Sequence, residues 1–353
     1  MKHPKISRRD YIKYATIAAI GALGSAGILW DYNRNRFGSE VEKTSETSTT
    51  ISKTISSKTS KEKSEKSIIT ESHKSLVSII RGDSDIDLEA MVRKSVDIIG
   101  GIEKVVSPGD NVVVKPPVLT SNSGCSPDPR VVAAVAKIAI EAGGNVVVAE
   151  SSGNGNTAYN LSELGITSAA ESVGAEVRDL QTEKEVQIEI PDGVALNSVK
   201  TYPTIKDCDV LISVPRLKRH NSATVTISLK NMMGILPKTE MRRFHSVNLS
   251  QCIADLNSSI KPHLSIIDAS YAMTRKGPTG GDMTRLDTVI ASFDVVAADR
   301  VGAQELQELE EKIGVSSRSR FDASNVRHII AAGNLGVGES LFEKIQIAKD
   351  VIS

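Results

Sequence analysis

Residues 111–149 read NVVVKPPVLTSNSGCSPDPRVVAAVAKIAIEAGGNVVVA, and this stretch decides the fold. The β-branched run from Asn111 to Lys115 is typical of a buried strand, and Pro116-Pro117 must end it. Asp128-Pro129 places a capping carboxylate and a proline at the start of a helix, which a pair of glycines closes. Asn145 to Ala149 is a second buried-type strand. The stretch therefore predicts a strand, a covering helix and a parallel strand.

The same alternation of strand and helix continues on both sides of this stretch. Strands are predicted at Leu76 to Ile80, Val210 to Val214, Leu264 to Ile267 and Asp287 to Ser292. Helices are predicted at Leu88 to Ile99, near Leu161 to Val173, at Val247 to Ile260 and at Val295 to Leu309. The sequence therefore predicts an α/β fold, with a mostly parallel wound sheet and helices on both faces.

One segment departs from this alternation. Val186 to Ile190 alternates strictly between apolar and polar residues, and Pro191-Asp192-Gly193 makes a turn before Val194 to Val199. This pattern predicts a small antiparallel hairpin inserted into the wound fold.

Residues 1–38 are predicted to be a targeting segment. Ser7-Arg8-Arg9-Asp10-Tyr11-Ile12-Lys13 precedes an apolar run from Tyr14 to Trp30, which is similar to a twin-arginine export signal. The alternative is an ordinary secretory leader or signal anchor with incidental arginines. No Ala-x-Ala cleavage site follows, so the run is a candidate membrane anchor. The expected partners are the twin-arginine export machinery and a membrane, and the expected location is the outer face of the cytoplasmic membrane or the extracellular space.

Residues 39–75 are predicted to be a disordered Ser/Thr/Lys linker, because 18 of these positions are Ser or Thr and none is aromatic. Such a segment cannot bury enough apolar area to offset its ordering entropy. The α/β domain is then predicted to span residues 76–353. Residues 1–75 contain 14 Lys and Arg against 8 Asp and Glu, which leaves the remainder mildly acidic. An acidic domain with few aromatic residues is not a nucleic-acid binder.

Polar side chains concentrate at the ends of the predicted strands between residues 209 and 299. Arg216, Lys218 and His220 follow one strand, and Asp268 ends another. Because parallel sheets bind ligands at the carboxyl ends of their strands, these residues predict a polar site. Residues 224–230 are predicted to form one strand with alternate polar members on a single face.

Three further aspartates lie in or next to predicted helices. Asp255 is predicted to face solvent, and Asp294 is predicted to be an N-cap. Asp299 is expected to be either a surface charge or a site carboxylate. Gly333-x-x-Gly336-x-Gly338 follows no predicted strand, so it gives poor support to a dinucleotide site.

These motifs together are similar to those of the domain-of-unknown-function 362 family. The matching segments are Val214-Pro-Arg-Leu-Lys-Arg-His220, Ser228-Leu-Lys-Asn-Met-Met-Gly234, His245, Ile253-Ala-Asp-Leu256, Lys261-Pro262, Ile267-Asp268 and Gly277-Pro278-x-Gly280. The resemblance extends upstream to Lys115-Pro116, Pro127 and Glu150-Ser151, and downstream to Asp294 and Asp299. It implies a fold and a site, because the family has no generally assigned activity.

The chain departs from the family pattern in three respects. Arg216-Leu-Lys-Arg-His220 stands where relatives usually have Lys-Leu-Lys-Thr-His, and Pro117 stands where they have Asn. Many relatives also carry a ferredoxin-like module. Here Cys125, Cys208 and Cys252 are too few and too scattered to hold an iron–sulfur cluster.

The side chains point to an anionic ligand. Lysine binds anions as a point charge, and a glycine-rich loop exposes backbone N–H groups to phosphate or carboxylate. The candidate ligand-binding residues are Lys115, Lys218, Lys230, Asn231, Gly277 and Gly280. The candidate catalytic residues are His220, His245 and Lys218.

A divalent metal is a second possibility, with His220, His245 and Asp268 as its candidate ligands. The structural alternative for each histidine is a hydrogen-bonded residue with no ligand. We therefore expect an exported α/β protein that binds an anionic small molecule or cofactor, and the residues leave open whether it is an enzyme. The alternative is a non-catalytic binding or accessory protein of a membrane-associated redox system.

Overall fold

The computed structural model describes residues 74–83 and 87–352. The predicted signal at residues 1–38 and nearly all of the predicted linker at residues 39–75 lie outside the described residues. Within the described ranges, no helix is long and apolar enough to span a membrane.

Twelve strands are described in this part of the chain. They are β1 (Ser75–Gly82), β2 (Asn111–Lys115), β3 (Asn145–Glu150), β4 (Glu176–Asp179), β5 (Val186–Glu189), β6 (Ser198–Thr201), β7 (Val210–Ser213), β8 (Arg216–His220), β9 (Thr224–Thr226), β10 (Leu264–Thr274), β11 (Asp282–Ser292) and β12 (Ile345–Ile352).

Ten α-helices are described in the same residues. They are α1 (Leu88–Ile99), α2 (Pro129–Glu141), α3 (Thr157–Glu163), α4 (Ile166–Ser172), α5 (Pro203–Lys206), α6 (Ser228–Asn231), α7 (Lys238–Val247), α8 (Leu249–Ser259), α9 (Val295–Lys312) and α10 (Arg327–Asn334).

The main sheet has the strand order β12-β1-β11-β10-β7-β2-β3-β4, with β8 paired to β10 and β9 paired to β8. Pairing is parallel from β10 through β7, β2 and β3 to β4. It is antiparallel between β10 and β11 and between β11 and β1. β5 and β6 form a separate antiparallel pair. The predicted fold class, including the small hairpin, is confirmed.

Each central strand contributes to two apolar clusters, one on each face of the sheet. Val113 packs with residues of α8, α9 and α10, whereas Val112 and Val114 pack with residues of α1 and α2. Burying a valine side chain stabilises a fold by roughly 1.5–3 kcal/mol. The β-branched run therefore lies in an interior strand with helices on both sides, as its sequence predicts.

One predicted helix is divided. The helix near Leu161 to Val173 is interrupted at Gly165, whose φ of +71° is left-handed and suits glycine. The helix predicted from Val247 to Ile260 corresponds to α8, which begins after Asn248, whose side chain accepts a hydrogen bond from the Gln251 N–H. Helix α7, which precedes it, is absent from the sequence prediction.

Two of the predictions made for aspartates have different outcomes. Asp255 is fully buried and accepts hydrogen bonds from the N–H groups of Ala195 (2.6 Å) and Leu196 (2.9 Å). The prediction that Asp255 faces solvent is wrong, and these bonds keep residues 194–197 out of the hairpin strand predicted there. Asp294 caps α9 as predicted, by accepting from the N–H groups of Val296 and Ala297.

The strand predicted at residues 224–230 ends at Thr226. The Ser228 and Leu229 N–H groups donate to the buried carboxylate of Asp299 at 2.7 and 3.0 Å, which starts helix α6 instead. Ser228 and Lys230 are therefore helical. Asp299 lies on α9, 71 residues away along the chain, so no local pattern reveals this contact.

Candidate functional site

A cavity of about 470 Å³ lies at the carboxyl ends of parallel strands β2 and β3. Open α/β sheets bind ligands at this edge, outside the carboxyl ends of the strands. The volume is within the range of small-molecule sites. The charged and imidazole groups that line it are Lys115, Glu150, Lys218, His220, Lys230, Lys238, Arg242 and His245.

One face of helix α7 forms a wall of this cavity. Lys238, Met241, Arg242 and His245 lie three or four residues apart, so they share a face, and all four line the cavity. Lys238 Nζ donates to the Gly155 carbonyl at 2.9 Å, whereas Arg242 is exposed and has no polar partner among the described residues. The wall thus carries one cation that is free to meet a ligand.

A buried ion pair joins the ends of the two parallel strands. Lys115 Nζ lies 2.8 Å from Glu150 Oε2, and both side chains are almost fully buried. Burial lowers the pKa of Lys115 and raises the pKa of Glu150 to about 7, although each partner's charge opposes the shift. Glu150 can therefore hold or release a proton near neutral pH.

Asn231 completes the surroundings of Lys115. Lys115 Nζ donates to both the backbone and the side-chain oxygen of Asn231. The Asn231 amide nitrogen donates to the Lys115 carbonyl and to Ser213 Oγ, each at 2.9 Å. Lys115 and Asn231, both predicted ligand-binding residues, line the cavity, but their polar groups are hydrogen-bonded within the protein.

Lys218 and Lys230 differ from Lys115 because they have no carboxylate partner. Lys218 Nζ donates to the Cys125 carbonyl at 2.6 Å, and the polar contact of Lys230 Nζ is Met233 Sδ at 3.5 Å. Neither ammonium group forms an ion pair with any residue that the structure describes. Burial and neighbouring lysines lower the pKa of Lys218 to about 8 and that of Lys230 to about 7. A buried cation with no counter-ion is unfavourable, so an anion would relieve this cost.

The hydrogen bonds of His220 fix its tautomer. Its Nδ1 accepts from the N–H groups of Ser222 (3.1 Å) and Ala223 (3.0 Å), so the proton of the neutral ring is on Nε2. Burial, with the charges of Lys230 and Lys218, lowers the pKa of His220 to about 2. At neutral pH His220 is a hydrogen-bond donor and has no free lone pair for a metal ion.

His245 is exposed, and its ring centroid lies 6.4 Å from that of His220. Burial and the charge of Lys230 lower the pKa of His245. Both rings therefore favour the neutral form, and the inner cations of the cavity lining are lysines.

Asp268 is not in the cavity lining. Its carboxylate pairs with Arg216 at 3.0 Å and accepts hydrogen bonds from the N–H of Asp128 (2.7 Å) and from the N–H and hydroxyl of Ser270. Within residues 74–83 and 87–352 there is no group of three or more His, Cys, Asp or Glu side chains able to hold a metal ion. The predicted metal set of His220, His245 and Asp268 is therefore not brought together.

The glycine loop has a structural use. Residues 277–281 connect β10 to β11, and of the predicted loop only Pro278 reaches the cavity. A Cβ on Gly277 would collide with the Arg219 carbonyl oxygen, so this glycine permits close packing on β8. Nothing lies within 4 Å of a Cβ added to Gly280. Neither glycine lines the cavity, contrary to their predicted role.

Two polar groups of this site are absent from the predicted site residues. Glu150 ends β3 as Lys115 ends β2, and this parallel is visible in the sequence. Thr226 belongs to the polar face predicted for residues 224–230, and in the structure its Oγ1 is buried without a partner among the described residues and its residue lines the cavity.

Fold and site together define an α/β protein with a cationic crevice at the carboxyl edge of its parallel strands. The model of the domain-of-unknown-function 362 family matches residues 112–304, and the chain belongs to this family. The resemblance seen in the motifs is thereby confirmed.

Two other comparisons found similar proteins. A thylakoid-associated protein of Synechocystis sp. is 29% identical over 229 residues, which cover 62% of this chain and 70% of that protein. The structure of the lactate racemase apoprotein from Thermoanaerobacterium thermosaccharolyticum is similar at 10% identity with a TM-score of 0.46. That match covers 65% of this chain and 57% of the racemase chain.

Gly234 is predicted to be essential to the site, because a Cβ there would collide with Glu150 Oε1 and Lys115 Nζ. We expect Gly234→Ala to lower the free energy of unfolding, measured by urea denaturation, by about 1–3 kcal/mol. Gly153→Ala is the matched control in the same cavity, because its methyl group would meet only the ends of flexible side chains, Leu119 at 3.0 Å and Met241 Sδ at 3.5 Å. Equal losses in the two variants would contradict this role.

Proposed function

We propose that this protein binds a small organic anion in the crevice, with Lys218 and Lys230 supplying the positive charge. The observation that carries the proposal is the burial of two ammonium groups that have no carboxylate partner in the described chain. A carboxylate or phosphate placed between them would gain two charge-assisted hydrogen bonds in a desolvated site. The Nε2–H of His220 would add a neutral donor.

The rest of the lining suggests the remainder of the ligand. Val118, Leu119, Met233 and Met241 line the cavity together with the lysines. Ligand sites of this kind surround an apolar body with a few polar groups that fix its orientation. The proposed ligand is therefore an anionic head group attached to a small apolar part. The proposal contains no metal ion, because the tautomer of His220 and the position of Asp268 do not suit one.

Two groups would allow chemistry as well as binding. Glu150 and Lys230 have pKa values of about 7 and line the same cavity. Groups whose pKa lies near the working pH are suited to proton transfer. We therefore propose that the protein is an enzyme. The alternative is a binding protein that uses the crevice only for recognition.

We propose that the chain is exported by the twin-arginine route and retained at the outer face of the cytoplasmic membrane. The thylakoid-associated relative supports a membrane location, and the paired arginines of the leader support the route. An accessory role beside a membrane redox complex would fit this location equally well.

Removing either lysine charge should weaken anion binding. We expect Lys218→Met and Lys230→Met each to cost about 2–5 kcal/mol of binding free energy, or roughly 30-fold or more in Kd. Calorimetric titration with phosphate, oxalate and pyruvate measures this. Lys349→Met removes an exposed lysine of β12 and should leave every Kd unchanged. Undiminished affinity in both cavity variants would refute the proposed function.

The affinity should also depend on pH. An anion favours charged lysines, so binding must add a proton to any lysine that is neutral in the free protein. With pKa values of about 7 for Lys230 and about 8 for Lys218, the affinity for oxalate should fall as pH rises from 7 to 9. The fall should approach tenfold per pH unit for each neutral lysine, and below pH 6.5 the lysines should cause little change.

Calorimetry in two buffers of different ionisation enthalpy would count the protons taken up. Lys218→Met should reduce the uptake, while Lys349→Met should not. An affinity for oxalate that stays constant or rises between pH 7 and 9 would show that neither lysine charges upon binding.

Export is tested by conservative change of the arginine pair. Arg8→Lys combined with Arg9→Lys should leave the protein in the cytoplasm of a host with the twin-arginine machinery, as judged by cell fractionation. Arg34→Lys combined with Arg36→Lys makes the same change after the apolar run and should be exported normally. Normal export of both double variants would exclude this route.

A further inference from the structure

The buried amine of Lys230 has no strong hydrogen-bond partner among the described residues. The residue is 9% exposed and lines the cavity, and among the described residues the hydrogen-bond partner of its Nζ is the thioether sulfur of Met233 at 3.5 Å. A thioether is a weak acceptor and does not hold an ammonium group as a carboxylate does. Lys115, in the same cavity, contrasts with it, because Glu150 and Asn231 engage its Nζ.

The environment of Lys230 favours the uncharged amine. Burial acts first, and the charges of Lys218 and Lys115 act in the same direction to lower its pKa to about 7. Close to half of the Lys230 amines are then neutral at pH 7, against on the order of 0.1% of ordinary lysines. A lysine desolvated beside other cations is an activated nucleophile.

Its backbone is held rigidly. Lys230 lies in α6, whose first N–H groups are fixed by the buried carboxylate of Asp299 at 2.7 and 3.0 Å. A nucleophile on a fixed element needs little reorganisation to attack. The Nε2–H of His220 and the hydroxyl of Thr226 line the same cavity, and neither donates to another group among the described residues. Both are able to donate to the oxygen of a carbonyl group.

We propose that Lys230 Nζ condenses with the carbonyl carbon of a small anionic aldehyde or ketone, such as a 2-oxo acid, while Lys218 binds its carboxylate. This inference rests on the proposed anion site and names its substrate class. The amine attacks the carbonyl carbon to form a carbinolamine, and the carbonyl oxygen then leaves as water with the two hydrogens of the amine. A carbon–nitrogen double bond links substrate and protein, and no oxidant or reductant is consumed.

Reductive trapping tests the proposal. Full-length protein is incubated at pH 7 with pyruvate and sodium cyanoborohydride, and the modified peptide is identified by mass spectrometry. We expect one reduced pyruvate adduct on Lys230, at least about tenfold faster than on exposed Lys349, and oxalate should suppress it. Because peptide mapping of the unaltered protein locates the adduct, the result does not depend on the folding of a variant.

Variants separate the two lysines. Lys230→Arg keeps the charge, lacks the nucleophile and should lose the adduct. Lys218→Met should raise the pyruvate concentration for half-maximal labelling by about 30-fold, while labelling with acetone, which has no carboxylate, should change less than threefold. Lys349→Arg should label normally at Lys230.

The possible failures are distinguishable. Pyruvate or oxalate binding without an adduct on Lys230 overturns the condensation and leaves the anion site standing. The absence of binding by phosphate, oxalate and pyruvate overturns both. An adduct that forms on exposed lysines as fast as on Lys230, or that oxalate does not suppress, also overturns the condensation.

Discussion

The buried ion pair between Lys115 and Glu150 fixes the geometry on which the crevice depends. It joins the last residues of two adjacent parallel strands, and Lys115 also reaches the backbone oxygen of Asn231 in α6. Two strands and the helix that carries Lys230 therefore meet at one ammonium group. Removing either partner would leave a charge buried without compensation, which is far more costly than the net value of the pair. Gly234 is tied to this arrangement because a side chain there would occupy the space of the pair.

Pairing Lys115 leaves the other lysines of the cavity uncompensated. Glu150 is the acidic residue of the cavity lining, and Lys115 already holds it. Lys218 and Lys230 therefore repel each other and Lys115 in a desolvated place, and their pKa values fall. Such a cluster opposes folding whenever both lysines are charged, because the unfolded chain solvates them freely. The folded protein keeps both lysines despite this unfavourable contribution to the free energy of folding, which is typical of residues that serve a functional site.

Much of the fold could be predicted because the residues that determine burial and helix capping are neighbours in the sequence. The valines of β2 and β3 and the cap at Asp128 lie next to one another in the sequence, and the structure places them as predicted. Predictions failed where a distant carboxylate supplied the hydrogen bonds. Asp299 turned a predicted strand into α6, and Asp255 held residues 195 and 196 out of the hairpin. Local periodicity contains no information on such partners.

The site shows the same division between local and distant causes. Lys218 and His220 line the cavity because they follow the end of β7, which the sequence reveals, whereas Lys230 lines it from α6, whose start depends on the distant Asp299. Asp268 lies within β10 and not at its end, and it pairs with Arg216, so the charge that could have served a metal is neutralised outside the cavity. Because Asp268 pairs with Arg216, His220 lies beside lysines and not beside this carboxylate. A histidine in that position stays neutral, and its Nδ1 is already bonded to two backbone N–H groups. The chemistry of the crevice is therefore set by amines and a neutral donor, which suits an anion and, at Lys230, a carbonyl carbon.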